Sequence, residues 1–157
     1  MKSYAVVALF HPLENGTTIS RREWPAHITL ASNFTAAAAR DRIIEVVTEA
    51  APAAEPLSVH FGEEALFGPN HDVRVRLVES EQAVRLHIRL TDQLESLPGF
   101  VPEEPAYWRD GYRPHLTLGP SVTATEGDRE TATSVAVVEI LDSDAKVLAL
   151  LHSRGAR

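Results

Sequence analysis

The chain spells His-aliphatic-Thr-Leu twice, as His27-Ile28-Thr29-Leu30 and as His115-Leu116-Thr117-Leu118, once in each half. This doubled tetrapeptide constrains the fold more than any other feature. Residues two apart on a strand share a face. His27 and Thr29 therefore project together, while Ile28 and Leu30 enter an apolar layer. The same holds for His115 and Thr117 against Leu116 and Leu118. Each copy asks for a short strand with one buried and one polar face. Side by side, two such strands present two imidazoles and two hydroxyls to one surface.

The segments around the motifs suit an α+β chain. Tyr4 to Phe10 is almost wholly apolar, as in a strand covered on both faces. Thr35 is a good N-cap, and residues 36–50 read as a helix with Ala39, Ile43, Val47 and Ala50 as its stripe. Pro52 and Pro56 mark the exit loop. Residues 57–67 read as a strand that turns at Gly68-Pro69-Asn70. Residues 71–78 alternate, with Val73, Val75 and Leu77 opposed to Asp72, Arg74 and Arg76. Ser80 caps a second predicted helix over 81–97, whose stripe is Ala83, His87, Leu90, Leu94 and Leu97. A loop rich in Pro, Gly and aromatics spans 98–113, and residues 123–130 read as loop. Residues 133–141 and 146–152 read as closing strands, and the tail from Ser153 as a fraying end. No low-complexity linker divides the 157 residues, which predicts one domain over 1–157 made of two similar lobes, with helices outside antiparallel sheets.

Charge and composition narrow the function. The formal net charge is −7, without a basic stripe, which argues against gripping a long nucleic-acid duplex. A few donors at a local site can still hold a small anion, because distant charge is screened. No apolar run is long enough to span a membrane, no signal peptide is evident and there is no Cys, which together predict a cytoplasmic protein. H-E-x-x-H, Walker, Rossmann and Gly-x-Ser-x-Gly patterns are all missing from the sequence.

Two imidazoles and two hydroxyls suit phosphodiester cleavage. A base takes a proton from the attacking oxygen and an acid gives one to the leaving oxygen. Histidine titrates near neutrality, so one ring can be neutral while its partner is protonated. Threonine hydroxyls can donate to the non-bridging phosphate oxygens. At these residues the chain resembles the 2H phosphoesterase superfamily, named for two His-x-Thr/Ser motifs. It looks most like the group of 2′-5′ RNA ligases and RNA 2′,3′-cyclic phosphodiesterases. Tyr112-Arg113-Pro114 resembles that family's lead-in to its second motif. The resemblance implies a bilobal fold with a cleft between two antiparallel sheets and no metal or other cofactor. It implies His27 and His115 as the acid–base pair and Thr29 and Thr117 as phosphate holders. Which histidine is the base stays open.

The reaction so implied is opening of a 2′,3′-cyclic phosphate, on an RNA end or a small nucleotide, by a monomeric enzyme. Run backwards with an RNA 5′-hydroxyl, the same site would make a 2′-5′ bond. A non-catalytic module binding nucleotides or RNA ends on this fold is the rival reading, and a lipid-like or sugar-phosphate diesterase is a third. Trp108, Tyr107 and Tyr112 are candidates for stacking on a base, and Arg113 and Arg109 for contacting phosphate. Packing of the loop is the competing role for the aromatics, and core packing is expected for Trp24. Arg74 and Arg76 belong to a cleft wall or a solvated face, and Phe67 to the pocket lining or, as the more ordinary role, the strand-end core. His11, His60, His71, His87 and His152 lack a partner motif and read as structural or surface residues.

Overall fold

In the computed structural model, which describes residues 2–51 and 56–152, the apolar strand β1 (Ser3–Leu9) lies inside a sheet and is buried on both faces from Tyr4 onward. It pairs with β3 (His27–Thr35) on one side and β9 (Ser134–Ile140) on the other. Beyond β9 lie β10 (Asp144–His152) and the short edge strand β2 (Thr18–Ser20). Beyond β3 come β7 (His115–Thr117), β5 (Val73–Glu79), β4 (Leu57–Phe67) and β8 (Arg129–Ala132). The two-residue β6 (Val101–Pro102) pairs with the end of β3. Every pairing among the described residues is antiparallel. The two halves of the sheet join in one ladder, through the single pair Ile28–Leu116 at the centre of the two motifs.

Both helices pack on one face. α1 (Arg40–Ala50) buries Ile43, Val46, Val47 and Ala50. α2 (Glu81–Leu94) buries Ala83, Leu86, His87, Leu90 and Leu94. Ile28, Leu30, Phe34 and Leu116 from the sheet complete this core. A second apolar layer on the other face unites Ala5, Val7 and Leu9 with Ile19, Ala136, Val138, Ala145 and Val147, and Leu13 and Trp24 pack onto it. The alternation of β1 feeds both layers, which explains its continuous apolar sequence.

The expected α+β class holds, and the stripe of the second helix is buried in full, including Leu97 just past its end. The Ser80 hydroxyl accepts from the Ala83 amide, an N-cap worth about 1 kcal/mol. The first helix differs. It starts at Arg40, after Ala39 as a cap without a side-chain bond. Thr35 stays in β3, paired with Ser3 and Val101, so its backbone is already committed to the sheet. Val46 then takes the buried place expected of Ala39, which is exposed. The start of β8 reads as loop from sequence because Arg129 to Thr131 is polar; in the fold it is an exposed edge on β4. Pro52 and the tail from Ser153 lie outside the described residues. Among the described residues no helix is long and apolar enough to cross a membrane.

Candidate active site

The Ile28–Leu116 pair sends both side chains into the helix-side core, where they are 0% and 2% exposed. Antiparallel register about that pair sets His27 opposite Thr117 and Thr29 opposite His115, all on the other face. The motifs thus form a checkerboard of two imidazoles and two hydroxyls. Opposed Cβ atoms in such a pair are about 4.5–5.5 Å apart and diagonal ones roughly 7–8 Å, which sets the two imidazoles diagonally across the board. Aliphatic residues flank the board. Leu9 and Val7 lie beside His27 and Thr29, and Leu77 and Val75 beside His115 and Thr117.

Each imidazole is fixed in the same way. His27 Nδ1–H donates to the carbonyl of Pro25 at 2.8 Å, and His115 Nδ1–H donates to the carbonyl of Arg113 at 2.8 Å. These bonds select the Nδ1–H tautomer and leave both Nε2 atoms for chemistry. In both copies a proline lies just before the histidine, as Pro25-Ala26-His27 and Pro114-His115, and its fixed φ shapes the approach. An aromatic ring backs each imidazole: Trp24 at 4.7 Å from His27 and Phe67 at 4.6 Å from His115, centroid to centroid. The Arg113 guanidinium lies over the Phe67 ring, 5.0 Å from its centroid.

Both imidazoles are held below the ordinary histidine range. For His27 burial is the main cause, the carbonyl of Pro25 opposes it, and the charge of His115 adds to it. For His115 burial again leads, the carbonyl of Arg113 opposes it, and the Arg113 charge adds to it. The two rings therefore repel each other's protons, and a singly protonated pair is favoured over a doubly protonated one.

A cavity of about 430 Å³ opens beside Thr29 and His115. Its walls include Phe67, Leu66, Tyr107, Tyr112 and Arg113, a mostly apolar lining with a few polar groups, as small-ligand sites have. The Tyr112 hydroxyl donates to the carbonyl of Thr29 at 2.8 Å, and burial pushes this phenol's pKa up. The hydroxyl of Ser32 lines the same cavity, buried and without a hydrogen-bond partner among the described residues. Alternation from Thr29 would aim Ser32 at the core. The register shift where Val6 faces Ala31 and Val7 faces Thr29 turns it to the motif face instead, and nothing in the sequence announces that bulge.

The other candidates separate clearly. Tyr112, Tyr107, Arg113 and Phe67 line the cavity. Trp108 does not: it is buried among Phe34, Phe100 and His87 and belongs to the core. Arg109 is held by Asp92 at 2.8 Å and Glu95 at 2.7 Å. Arg76 lies opposite Leu116, on the face away from His115, where it donates to the carbonyl of Ala124; Arg74 shares that face and pairs with Glu64. No group of three or more His, Asp or Glu side chains among the described residues is placed to hold a metal ion.

The chain has relatives among known proteins. A family model described as the 2′-5′ RNA ligase superfamily matches residues 8–154. Among solved structures, TT0787 of Thermus thermophilus aligns over 100% of both chains, with a TM-score of 0.61 and 19% identity. E. coli LigT complexed with 3′-AMP aligns over 98% of both chains, with a TM-score of 0.58 and 14% identity. The same protein complexed with NADP+ aligns over 97% of both chains, with a TM-score of 0.55 and 12% identity. At these identities the likeness establishes the fold. No curated protein matches the sequence.

Proposed function

Because the chain belongs to the 2′-5′ RNA ligase superfamily, we propose that it opens 2′,3′-cyclic phosphates by acid–base catalysis between His27 and His115. The observation that carries this reading is the checkerboard across Ile28–Leu116, with both Nε2 atoms free of the bonds that fix the rings. One neutral imidazole takes a proton from water as its oxygen attacks phosphorus. The bond from phosphorus to one ribose oxygen breaks, and the protonated imidazole gives that oxygen its proton. Thr29 and Thr117 donate to the non-bridging oxygens and hold the group in line. The two rings end with their protonation states exchanged. The same ring opening, with an RNA 5′-hydroxyl in place of water as nucleophile, forms a 2′-5′ bond and releases no other product.

The substrate in this reading is a nucleotide or an RNA end. LigT was solved with 3′-AMP and with NADP+, and we carry the nucleotide class over from it. The cavity beside His115 takes the nucleoside, with Tyr112 and Tyr107 against the base and Arg113 toward the phosphate. Trp108 supports that wall from behind. The protein acts as a monomer in one domain of two related lobes, each supplying one motif. No step needs a metal.

The test is turnover of nucleoside 2′,3′-cyclic phosphates followed by phosphorus NMR, with and without chelator. We expect conversion to a nucleoside monophosphate at a rate the chelator leaves unchanged. Binding of these compounds without conversion would make the protein a nucleotide-binding module instead.

The reading also fixes a pH dependence. The active form has one protonated and one neutral imidazole, and both groups titrate below the usual value of about 6.5. The kcat/KM profile reports the free enzyme and should be a bell with its optimum on the acid side of about 6.5. Activity falls at higher pH as the acid loses its proton, and at lower pH as the base gains one. Bound phosphate, being anionic, raises both values, so the kcat optimum lies higher than the kcat/KM optimum. A kcat/KM maximum in the alkaline range would contradict the assignment.

A further inference from the structure

His87 is fully buried in α2, and both of its ring nitrogens are used. Nδ1–H donates to the carbonyl of Leu30, the last residue of the first motif, at 2.7 Å. Nε2 accepts from the backbone N–H of Arg109, in the loop before the second motif, at 2.9 Å. Its flat face stacks on Tyr112, with centroids 4.0 Å apart and planes within 6°. The hydroxyl of Tyr112 in turn reaches the carbonyl of Thr29. One neutral ring therefore holds two backbone groups and one aromatic wall. A neutral imidazole suits this place because it offers one donor and one acceptor at opposite sides of a flat aromatic ring.

We propose that His87 is a positioning residue that locks the first motif to the loop leading into the second, and that it acts on the site through Tyr112. The inference rests on the reading of His27 and His115 as the reacting pair. The loop needs such a lock. Arg109 sits at φ +60°, in the left-handed region that side chains disfavour, and persists there only when its surroundings hold it. α2 and its C-cap residue supply the side-chain restraints: His87 on the Arg109 amide, and Asp92 and Glu95 on its guanidinium. Three residues later Tyr112 lies on His87 and carries its hydroxyl to Thr29, so a slack loop would move the cavity wall and the phosphate-facing strand together. Burial keeps the ring neutral, with the Arg109 charge acting in the same direction, which preserves the acceptor at Nε2.

The test is a double-mutant cycle on His87→Leu and Tyr112→Phe, read as kcat on a nucleoside 2′,3′-cyclic phosphate well below the melting temperature. His87→Leu alone should lower kcat by roughly 10- to 100-fold, the scale of an ångström-level misplacement. In the Tyr112→Phe background the same change should cost only a small part of that factor, because the link to Thr29 is already cut. Full multiplication of the two losses, or an unchanged kcat in His87→Leu, would overturn the proposal. Should His87→Leu fail to fold, His87→Gln, which keeps an acceptor near Nε2 and loses the stack, carries the same cycle. Hydrogen exchange of the Arg109 amide gives a readout independent of turnover. It should be protected in the wild type and in His87→Gln, and an unprotected wild-type amide would sink the lock even if catalysis proceeds. If no cyclic phosphate is turned over, the functional reading fails, while the exchange result still decides the lock.

Discussion

Replacing His115 by alanine is expected to lower kcat/KM for a nucleoside 2′,3′-cyclic phosphate by about 10²–10⁴-fold, and His27→Ala by a similar factor. In the proposed mechanism each ring is one of two proton carriers, and its Nδ1–H is already spent on a carbonyl two residues back. Nothing else on the board can take over Nε2, because the neighbours are Thr29, Thr117 and the aliphatic Leu9, Val7, Leu77 and Val75. The double alanine variant should be little worse than either single one, since the two histidines act as a unit. Folding should survive. Both rings lie on the face away from the helices, and the lost bond to a carbonyl is worth about 1 kcal/mol. Steady-state kinetics on the three variants, with melting curves beside them, check all of this. Full activity in both single variants would end the assignment.

Gly111→Ala is expected to do the most damage for a single added methyl group. A Cβ at Gly111 would overlap the carbonyl oxygen of Ala106, a backbone atom that has no rotamer to escape into. Two short 3₁₀ turns, Pro105–Tyr107 and Arg109–Gly111, fold back on each other here, and the added carbon forces them apart. Overpacking of this kind costs about 1–3 kcal/mol, and each kcal/mol lowers the melting temperature of a domain this size by roughly 2–4 °C. The larger effect is on turnover. Gly111 and Ala106 both line the cavity, and Tyr112 follows directly, so kcat/KM should fall by at least about tenfold through misplacement of the wall. Gly119→Ala is the control. A Cβ there meets nothing within 4 Å, and the change should leave both stability and kinetics close to wild type. Equal behaviour of the two variants would show that the close approach at Gly111 does not shape the site.

The pattern of the sequence makes some of this legible and hides the rest. His27, Thr29, His115 and Thr117 can be read because strand alternation is strict over three residues, and the doubling removes the ambiguity of a single copy. The second helix is equally legible, from Ser80 through Leu94, because cap and apolar period agree. Alternation fails over longer stretches, wherever a bulge intervenes. Ser32 reaches the cavity only through the slipped register of β3 against β1. Thr35 looks like a cap on composition, yet the sheet claims its backbone first. The loop over 98–113 offers five candidates, Tyr107, Trp108, Arg109, Tyr112 and Arg113. Its 3₁₀ turns and the left-handed Arg109 decide which of them face in, and neither leaves a periodic trace. His87 is legible as a buried ring on the helix stripe, but its partners are 57 and 22 residues away in the chain.

The lone rung at Ile28–Leu116 has a mechanical meaning. Behind it, α1 and α2 lean on one another like the boards of a book along its spine, while in front the two strands share only this one ladder pair. A slight rocking of one half against the other would alter the gap between the two rings directly, because that gap spans the seam. In the proposed mechanism that gap must fit one phosphorus, so a bound phosphate bridging the seam would act as a clasp.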